Sequence, residues 1–230
     1  MGKNNIPQHL AFIMDGNRRW AKKRGLNILV GHQQGYKNFK KISEECYKMG
    51  IKILTFYAFS TENWKRSKIE VSYLMNILYT ALAKEAEIFK KEKIKLNVIG
   101  QVEKLPPKLR ELIYKVMNET KNNKDKIMNV ALSYGGRAEI VDAVKKIMKE
   151  KIPVEKINEE LFNKYLYTAG QPDPDLIIRT SGEQRLSGFL PWQGVYSEIC
   201  FSHKLWPDFS ISDLNRIIKD YQERQRRFGK

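Results

Sequence analysis

The chain predicts an α/β fold, a single domain over residues 1–230 with a mostly parallel central sheet flanked by helices. Three observations predict it. Short apolar, β-favouring runs alternate with longer segments of helical periodicity, the pattern of a sheet whose strands are joined by helices. The runs Leu10–Met14 and Ile53–Phe59 are nearly continuous in apolar residues, as strands covered on both faces are. Each is followed by a polar segment, and open parallel sheets bind ligands outside the carboxyl ends of their strands.

Taken in order, Leu10 to Met14 is the first strand, followed by a turn at Asp15-Gly16 and a helix starting near Arg18. Residues 31–50 form a helix with Phe39, Ile42, Cys46 and Met49 near helical spacing and Gly50 as its stop. Ile53–Phe59 is the second strand, and Ser60 to Arg66 is a polar segment at its carboxyl end. Residues 68–92 give the longest helix. Val71, Leu74, Leu78, Ala81, Leu82 and Phe89 make one stripe, while Tyr73, Met75, Ile77 and Tyr79 spread apolar character beyond the width a surface helix needs. Leu96–Gly100 is a strand, and Pro106-Pro107 opens a helix to about Thr120, proline being tolerated at a helix start.

Met128–Tyr134 is the next strand, and a helix begins near Ala138. Asn158 caps a short helix from Glu159 to Leu166. Asp175–Arg179 and Glu198–Phe201 are the last strands, and Ser210 with Asp213 caps a helix ending in Arg224, Arg226 and Arg227.

With 42% hydrophobic residues the chain can bury a real core. Its 42 basic against 26 acidic side chains give a net charge of +16, which favours anionic partners: nucleic acid, anionic lipid or phosphorylated substrates. The lysine-rich faces at Lys84–Lys95 and Lys145–Lys151 read as solvated surface. Cys46 and Cys200 have no metal-type spacing, and a reducing cytoplasm fits them. No apolar stretch approaches the roughly 20 residues needed to cross a bilayer, and the first residues read as neither a signal peptide nor a myristoylation site.

The most informative stretch is Asp15-Gly16-Asn17-Arg18-Arg19-Trp20. Gly16 lets the backbone turn and bring N–H groups close to a ligand, the helix start adds its positive end, and Arg18 and Arg19 give fork-shaped donors for phosphate oxygens. A carboxylate beside a phosphate repels it unless a cation lies between them. Mg²⁺ binds through one or two carboxylates plus substrate phosphates, so the combination points to Mg²⁺ and a diphosphate together. A lone Asp-Gly-Asn also reads as a simple helix cap.

Asp15 to Trp20, Gly31-His32, Tyr57 to Arg66, Ser133 to Arg137, Asp175 to Ser187 and Trp206-Pro207-Asp208-Phe209 together resemble the cis-prenyltransferases of the undecaprenyl diphosphate synthase type, in that family's order and spacing. The resemblance implies a homodimeric, Mg²⁺-dependent enzyme that adds isopentenyl diphosphate to an allylic diphosphate such as farnesyl diphosphate. The expected product is a long polyprenyl diphosphate, undecaprenyl diphosphate in the first instance. It also implies a hydrophobic tunnel for the growing chain, walled in part by residues 68–92. The expected setting is the cytoplasm, with peripheral membrane contact for product release.

On this reading Asp15 with Mg²⁺, the turn amides of Gly16, Asn17 and Arg18, and Arg19 hold the allylic diphosphate. Arg179, Arg185, Leu186 and Ser187 hold isopentenyl diphosphate. His32, Ser60, Thr61, Glu62, Trp64 and Arg66 line the cleft, Glu198 completes metal coordination, and Asn63 stands where the family is assigned its proton acceptor. A neutral amide is a poor base, so Asn63 fits orientation better, with a diphosphate oxygen taking the proton. Trp20 and Trp64 read on pattern alone as core residues, and beside the cleft as shields for the allylic cation; the Arg227-Phe228-Gly229 tail reads as a frayed basic terminus or, by the resemblance, as a segment that crosses the dimer.

The chain departs from the family at Leu26-Asn27-Ile28-Leu29, where many bacterial members carry a further arginine, a contact that is either lost here or supplied by Arg24. Two rivals are a non-catalytic partner subunit and a basic nucleic-acid-binding protein. The first lacks the catalytic aspartate and arginines present here, and no recognised nucleic-acid module supports the second.

Overall fold

A computed structural model describes residues 6–223. The elements run β1 (His9–Ile13), α1 (Asn17–Lys23), α2 (Ile28–Lys48), β2 (Ile53–Ser60), α3 (Lys68–Lys91), β3 (Ile94–Ile99), α4 (Pro107–Thr120), β4 (Lys126–Tyr134), α5 (Gly136–Lys149), α6 (Glu159–Asn163), β5 (Leu176–Arg179), β6 (Glu198–Phe201) and α7 (Ile211–Glu223). They alternate as the sequence pattern predicts. The differences are local. α2 starts at Ile28 rather than 31, because the Asn27 side chain accepts from the Leu29 amide and caps it. α6 stops at Asn163 rather than 166, since Lys164 and Tyr165 donate three residues back and tighten the chain out of the α-helix.

The six strands form one sheet in the order β3-β4-β2-β1-β5-β6, and every pairing among them is parallel. Successive side chains alternate across a strand. Leu10 and Phe12 of β1 therefore join a large core with Leu54, Phe56, Met128 and Ile178, covered by residues of α2, α3, α4 and α7. Ala11 and Ile13 join a smaller core on the opposite face with Ala131, Ile177, Phe189 and Leu190. In the large core Phe12 stacks on Phe56 with centroids 4.9 Å apart, and the buried indole of Trp206 leans on both rings. Burying each such ring contributes about 2 kcal/mol or more.

A polar row crosses the sheet in the amino-terminal half of its strands. His9 Nδ1 lies 2.8 Å from the Pro172 carbonyl and Nε2 2.7 Å from Thr55 Oγ1. Asn129 donates to Thr55 Oγ1 and accepts from Asn97. The carbonyl partner fixes the proton on Nδ1, so Nε2 accepts from the threonine hydroxyl. Burial drives the His9 pKa from 6.5 down to about 4, against the raising effects of the Pro172 carbonyl and Asp175. The unfolded chain binds this proton more tightly, so stability is complete above pH 6.5 and is lost as pH falls toward 4. Urea unfolding across that window should show an acid loss up to about 3 kcal/mol larger in the parent than in a His9→Gln variant. Parallel curves in the two proteins would exclude His9 as the responsible group.

Candidate active site

Asp15 follows β1, Ser60 ends β2 and Arg179 ends β5, and these are three adjacent strands. The register pairs Ile13 with both Tyr57 and Arg179, which sets the three polar termini side by side at the carboxyl edge. The β2–β4 register shifts between Tyr57 and Ser60. That irregularity ends the regular ladder just before the Thr61–Lys65 3₁₀ helix.

The Asp15 turn is held from both sides. Its carbonyl accepts from Thr180 Oγ1 at 2.7 Å and from the Trp206 amide at 2.9 Å. Gly16 then turns at φ 115°, and a Cβ there would lie 3.0 Å from Leu205, so glycine answers both the backbone angle and the close approach. No side chain caps α1, which begins at Asn17 in the cavity wall. The Asp15 carboxylate meets Arg179 Nη2 at 3.0 Å and Arg19 Nη2 at 3.3 Å. Burial pushes its pKa up, but hydrogen bonds from Arg179 and Ser181 and the charges of Arg179 and Arg19 outweigh burial and hold the carboxyl below its ordinary range. It is ionised at neutral pH.

Arg179 is itself buried, at 4% exposure. Nη1 donates to Ser187 Oγ at 2.8 Å and to the Arg185 carbonyl, while Nε has no partner. Arg19 reaches the Ser181 hydroxyl and Glu183. The two headgroup sets expected from sequence thus meet at the Asp15–Arg179 pair.

α1 presses onto α2 through two glycines. A Cβ on Gly31 would sit 2.2 Å from the Asn17 carbonyl oxygen, which the backbone cannot relieve, and one on Gly35 2.3 Å from Asn17 Oδ1, which would force that side chain to move. His32 follows, buried, with Nε2 3.1 Å from Glu70 Oε1. Glu70 is 3% exposed and also takes Arg66 Nη1 at 3.0 Å and Arg18 Nε at 3.7 Å. Burial lowers the His32 pKa despite the raising effect of Glu70 and leaves the imidazole neutral at neutral pH. With the Nε2 proton given to Glu70, Nδ1 is the acceptor. Glu70 was not among the residues singled out from the sequence. Its signal was the Ser67-x-x-Glu70 capping pattern at the start of α3, where Ser67 Oγ accepts from the Glu70 amide.

These groups stand at one end of a cavity of about 830 Å³. Asp15 to Arg19, His32, Ser60, Asn63, Arg66, Arg179 and Ser187 line the polar end. Leu74, Leu78, Leu82 and Phe89 of α3, with Leu96, Val98, Leu109, Ile113 and Leu132, line the rest. The wide apolar surface of α3 therefore faces an open cavity, the tunnel expected from sequence.

Other expected site residues are not in the cavity lining. Trp20 donates to Asp208 and packs under Arg24, whose guanidinium also takes Asp208. Arg24 is thus committed to Asp208, Ile28 lines the cavity, and Lys22 is the nearby cation in its wall. Trp64 donates to Ser133 and packs edge-on against Phe59. Thr61 donates to Glu62, and its side chain packs against Gly135. Arg185 is 60% exposed and pairs with Glu183, while Leu186 packs on the small core. The pairing of Glu198 with Asp15 at one metal does not occur within the chain. Register sets Glu198 beside Leu176, at the opposite end of the sheet, roughly 16 Å of strand from Asp15. The Arg227-Phe228-Gly229 tail lies outside the described residues.

Removing Glu70 would leave the buried His32 Nε2–H without its acceptor and two arginines without their shared counter-charge. Glu70→Ala should lower unfolding free energy by about 3 kcal/mol in urea titration. A change within about 0.5 kcal/mol would mean the cluster holds little of the site together.

The family described as "Putative undecaprenyl diphosphate synthase" matches residues 13–229. An isoprenyl transferase of Clostridium tetani is 50% identical over 98% of this chain and 90% of its own length. That of Thermotoga maritima is 48% identical over 97% of each. Among solved structures, lavandulyl diphosphate synthase from Lavandula x intermedia, in complex with dimethylallyl diphosphate, superposes with a TM-score of 0.93 at 38% identity, covering 98% of this chain and 99% of that one. A probable undecaprenyl diphosphate synthase from Campylobacter jejuni gives 0.82 at 38% identity over 100% of both. Sequence, sheet and cavity agree, and the chain belongs to the undecaprenyl diphosphate synthase family of isoprenyl transferases, enzymes of cis-prenyl chain elongation.

Proposed function

We propose that the chain condenses isopentenyl diphosphate with an allylic diphosphate, farnesyl diphosphate being the expected primer, and repeats the step to give a long polyprenyl diphosphate, undecaprenyl diphosphate in the first instance. The observation that carries this reading is one continuous cavity, lined by arginines and a carboxylate around Asp15 and mostly by apolar side chains along α3. Such a cavity complements a molecule with a charged head and a hydrocarbon tail.

In each round the allylic carbon–oxygen bond breaks, the isopentenyl double bond attacks that carbon, and a proton leaves the isopentenyl unit as diphosphate departs. The demand on the protein is to stabilise charge building on the leaving group. Arg19 and the first amides of α1 stand where they can donate to it, and one such donor is worth on the order of 3 kcal/mol. Arg179, buried between Asp15 and Ser187, and Ser187 itself hold the second headgroup. Asn63 Oδ1 accepts from the Ser60 amide, so its side-chain N–H group is what it offers the substrates. It orients, and a diphosphate oxygen takes the proton. Neutral His32, steadied by Glu70, presents an acceptor nitrogen to the same end of the cavity.

The residues fit Mg²⁺. Asp15 is an ionised oxygen donor in the cavity wall, and among the described residues no three liganding side chains converge, so most ligands would come from substrate phosphates. When bound, the ion neutralises diphosphate charge beside Asp15.

We also propose a homodimer, with Val144 and Met148 of α5 and Val195 and Tyr196 before β6 as exposed apolar side chains for a second copy to cover. Among the described residues no helix is long and apolar enough to cross a membrane. The +16 charge favours peripheral contact with anionic lipid from the cytoplasm.

Radiolabelled isopentenyl diphosphate, offered with geranyl, farnesyl or geranylgeranyl diphosphate with and without Mg²⁺, tests this directly. Product should form only with the metal, and Asp15→Ala should cost about 10²-fold or more in turnover. Arg179→Ala should raise the KM for isopentenyl diphosphate by about tenfold or more. Near-parental turnover in Asp15→Ala would remove the metal assignment, and an unchanged KM in Arg179→Ala would misplace the second headgroup.

A further inference from the structure

The loop after β5 holds a serine in a backbone conformation that suits glycine. Ser181 has φ 83°, the highest of any non-glycine among the described residues, and Gly182 beside it has φ 79°. In that region a Cβ crowds the backbone carbonyl, so a serine there is strained. The conformation is held by two backbone bonds, from the Ser181 amide to the Lys204 carbonyl at 2.7 Å and from the Gly182 amide to the Ser202 carbonyl at 2.8 Å. Glycine at position 181 would make the same bond without the strain. What serine adds is its side chain.

Ser181 is 7% exposed, and its hydroxyl accepts from Arg19 Nη2 and hydrogen-bonds the Asp15 carboxylate. Its carbonyl accepts from Arg19 Nη1 at 3.2 Å, and Glu183 takes the same nitrogen at 3.1 Å. Arg19 reaches this loop from α1 with 43% of its side chain exposed, so without such partners it would keep much of its rotamer freedom. One residue gives acceptors to two different nitrogens of a planar group, which sets the plane of the guanidinium as well as its position. The loop repeats the device once. Ser187, at φ 50°, accepts from Arg179 Nη1 at 2.8 Å.

We propose that Ser181 is a positioning residue for prenyl transfer, its hydroxyl fixing the Arg19 guanidinium in the orientation that receives the diphosphate leaving group. This rests on the elongation reading above, which gives Arg19 that group. The competing reading is a hydroxyl that only braces the loop. A brace predicts rates that follow stability. It also predicts a higher KM for isopentenyl diphosphate, because Ser187 and the Arg185 carbonyl, which anchor Arg179, lie on the same loop.

The test compares kcat, KM and thermal melts of the parent, Ser181→Gly, Ser181→Ala, Arg19→Ala and the Arg19→Ala/Ser181→Gly double variant, with farnesyl diphosphate as primer and Mg²⁺ present. Both serine variants lose the hydroxyl but only glycine relieves the backbone, so Ser181→Gly should melt about 2–4 °C above Ser181→Ala. Both should nevertheless lose about tenfold in kcat. Their KM for isopentenyl diphosphate should stay within about twofold of the parent. Beside Arg19→Ala, the Ser181→Gly penalty should shrink to about twofold or less, since no guanidinium is left to orient. If Ser181→Ala fails to fold, Ser181→Gly and the double variant decide alone. Parental kcat in Ser181→Gly, a glycine variant faster than the alanine one, a KM that rises as far as kcat falls, or an undiminished penalty beside Arg19→Ala would each overturn the proposal. A parent that makes no polyprenyl product would instead bring down the elongation reading, and the role of Ser181 with it.

Discussion

The carboxylate of Asp15 and the guanidinium of Arg179, 3.0 Å apart, join two neighbouring strand ends into one site. The backbone around them is fixed just as firmly, because the Asp15 carbonyl is shared by Thr180 after β5 and Trp206 ahead of α7. Much else follows from that arrangement. Gly16 must turn left-handed under Leu205, α1 must start there, and the glycine face of α2 must receive α1. Trp206 carries a second duty in the core, donating to the Gly35 carbonyl while Asn38 donates to the carbonyls of Trp206 and Phe209. The same loop therefore packs the core and steadies the reactive turn.

α3 works under a different constraint. Its apolar face lines an open cavity rather than closing on the sheet, which gives up burial the fold could otherwise have used. Two polar links between α2 and α3, His32 with Glu70 and Tyr36 and Lys40 with Glu85, flank much of that cavity. Chemistry stands at the first link and an apolar passage leads toward the second.

The fold was legible because parallel strands buried on both faces read as unbroken apolar runs, and the helices between them carried caps and periodicity. The Ser210–Asp213 cap appears as read, with Ser210 and Asp213 bonded to each other. The reactive turn was legible because Gly16, Asp15 and the arginines are adjacent in sequence. What could not be read was pairing across long sequence separations. Arg24 and Asp208 are 184 positions apart, so the claim of Asp208 on Arg24 left no trace in a local motif. Glu198 shows the same limit from the other side, since only strand register reveals that it starts β6 at the far edge. Glu70 and Glu85 sat in a lysine-bearing helix whose charges look solvated until α2 is seen packed beside them.

The central claim is spatial: a divalent ion and a substrate headgroup meet at Asp15, with Arg179 alongside. The most direct measurement is anomalous diffraction from crystals grown with Mn²⁺ in place of Mg²⁺ and a non-hydrolysable allylic diphosphate analogue. The account predicts an anomalous peak in contact with an Asp15 carboxylate oxygen and with the analogue's phosphates. A fully occupied peak and headgroup elsewhere in the chain, with Asp15 still paired only to its arginines, would contradict it.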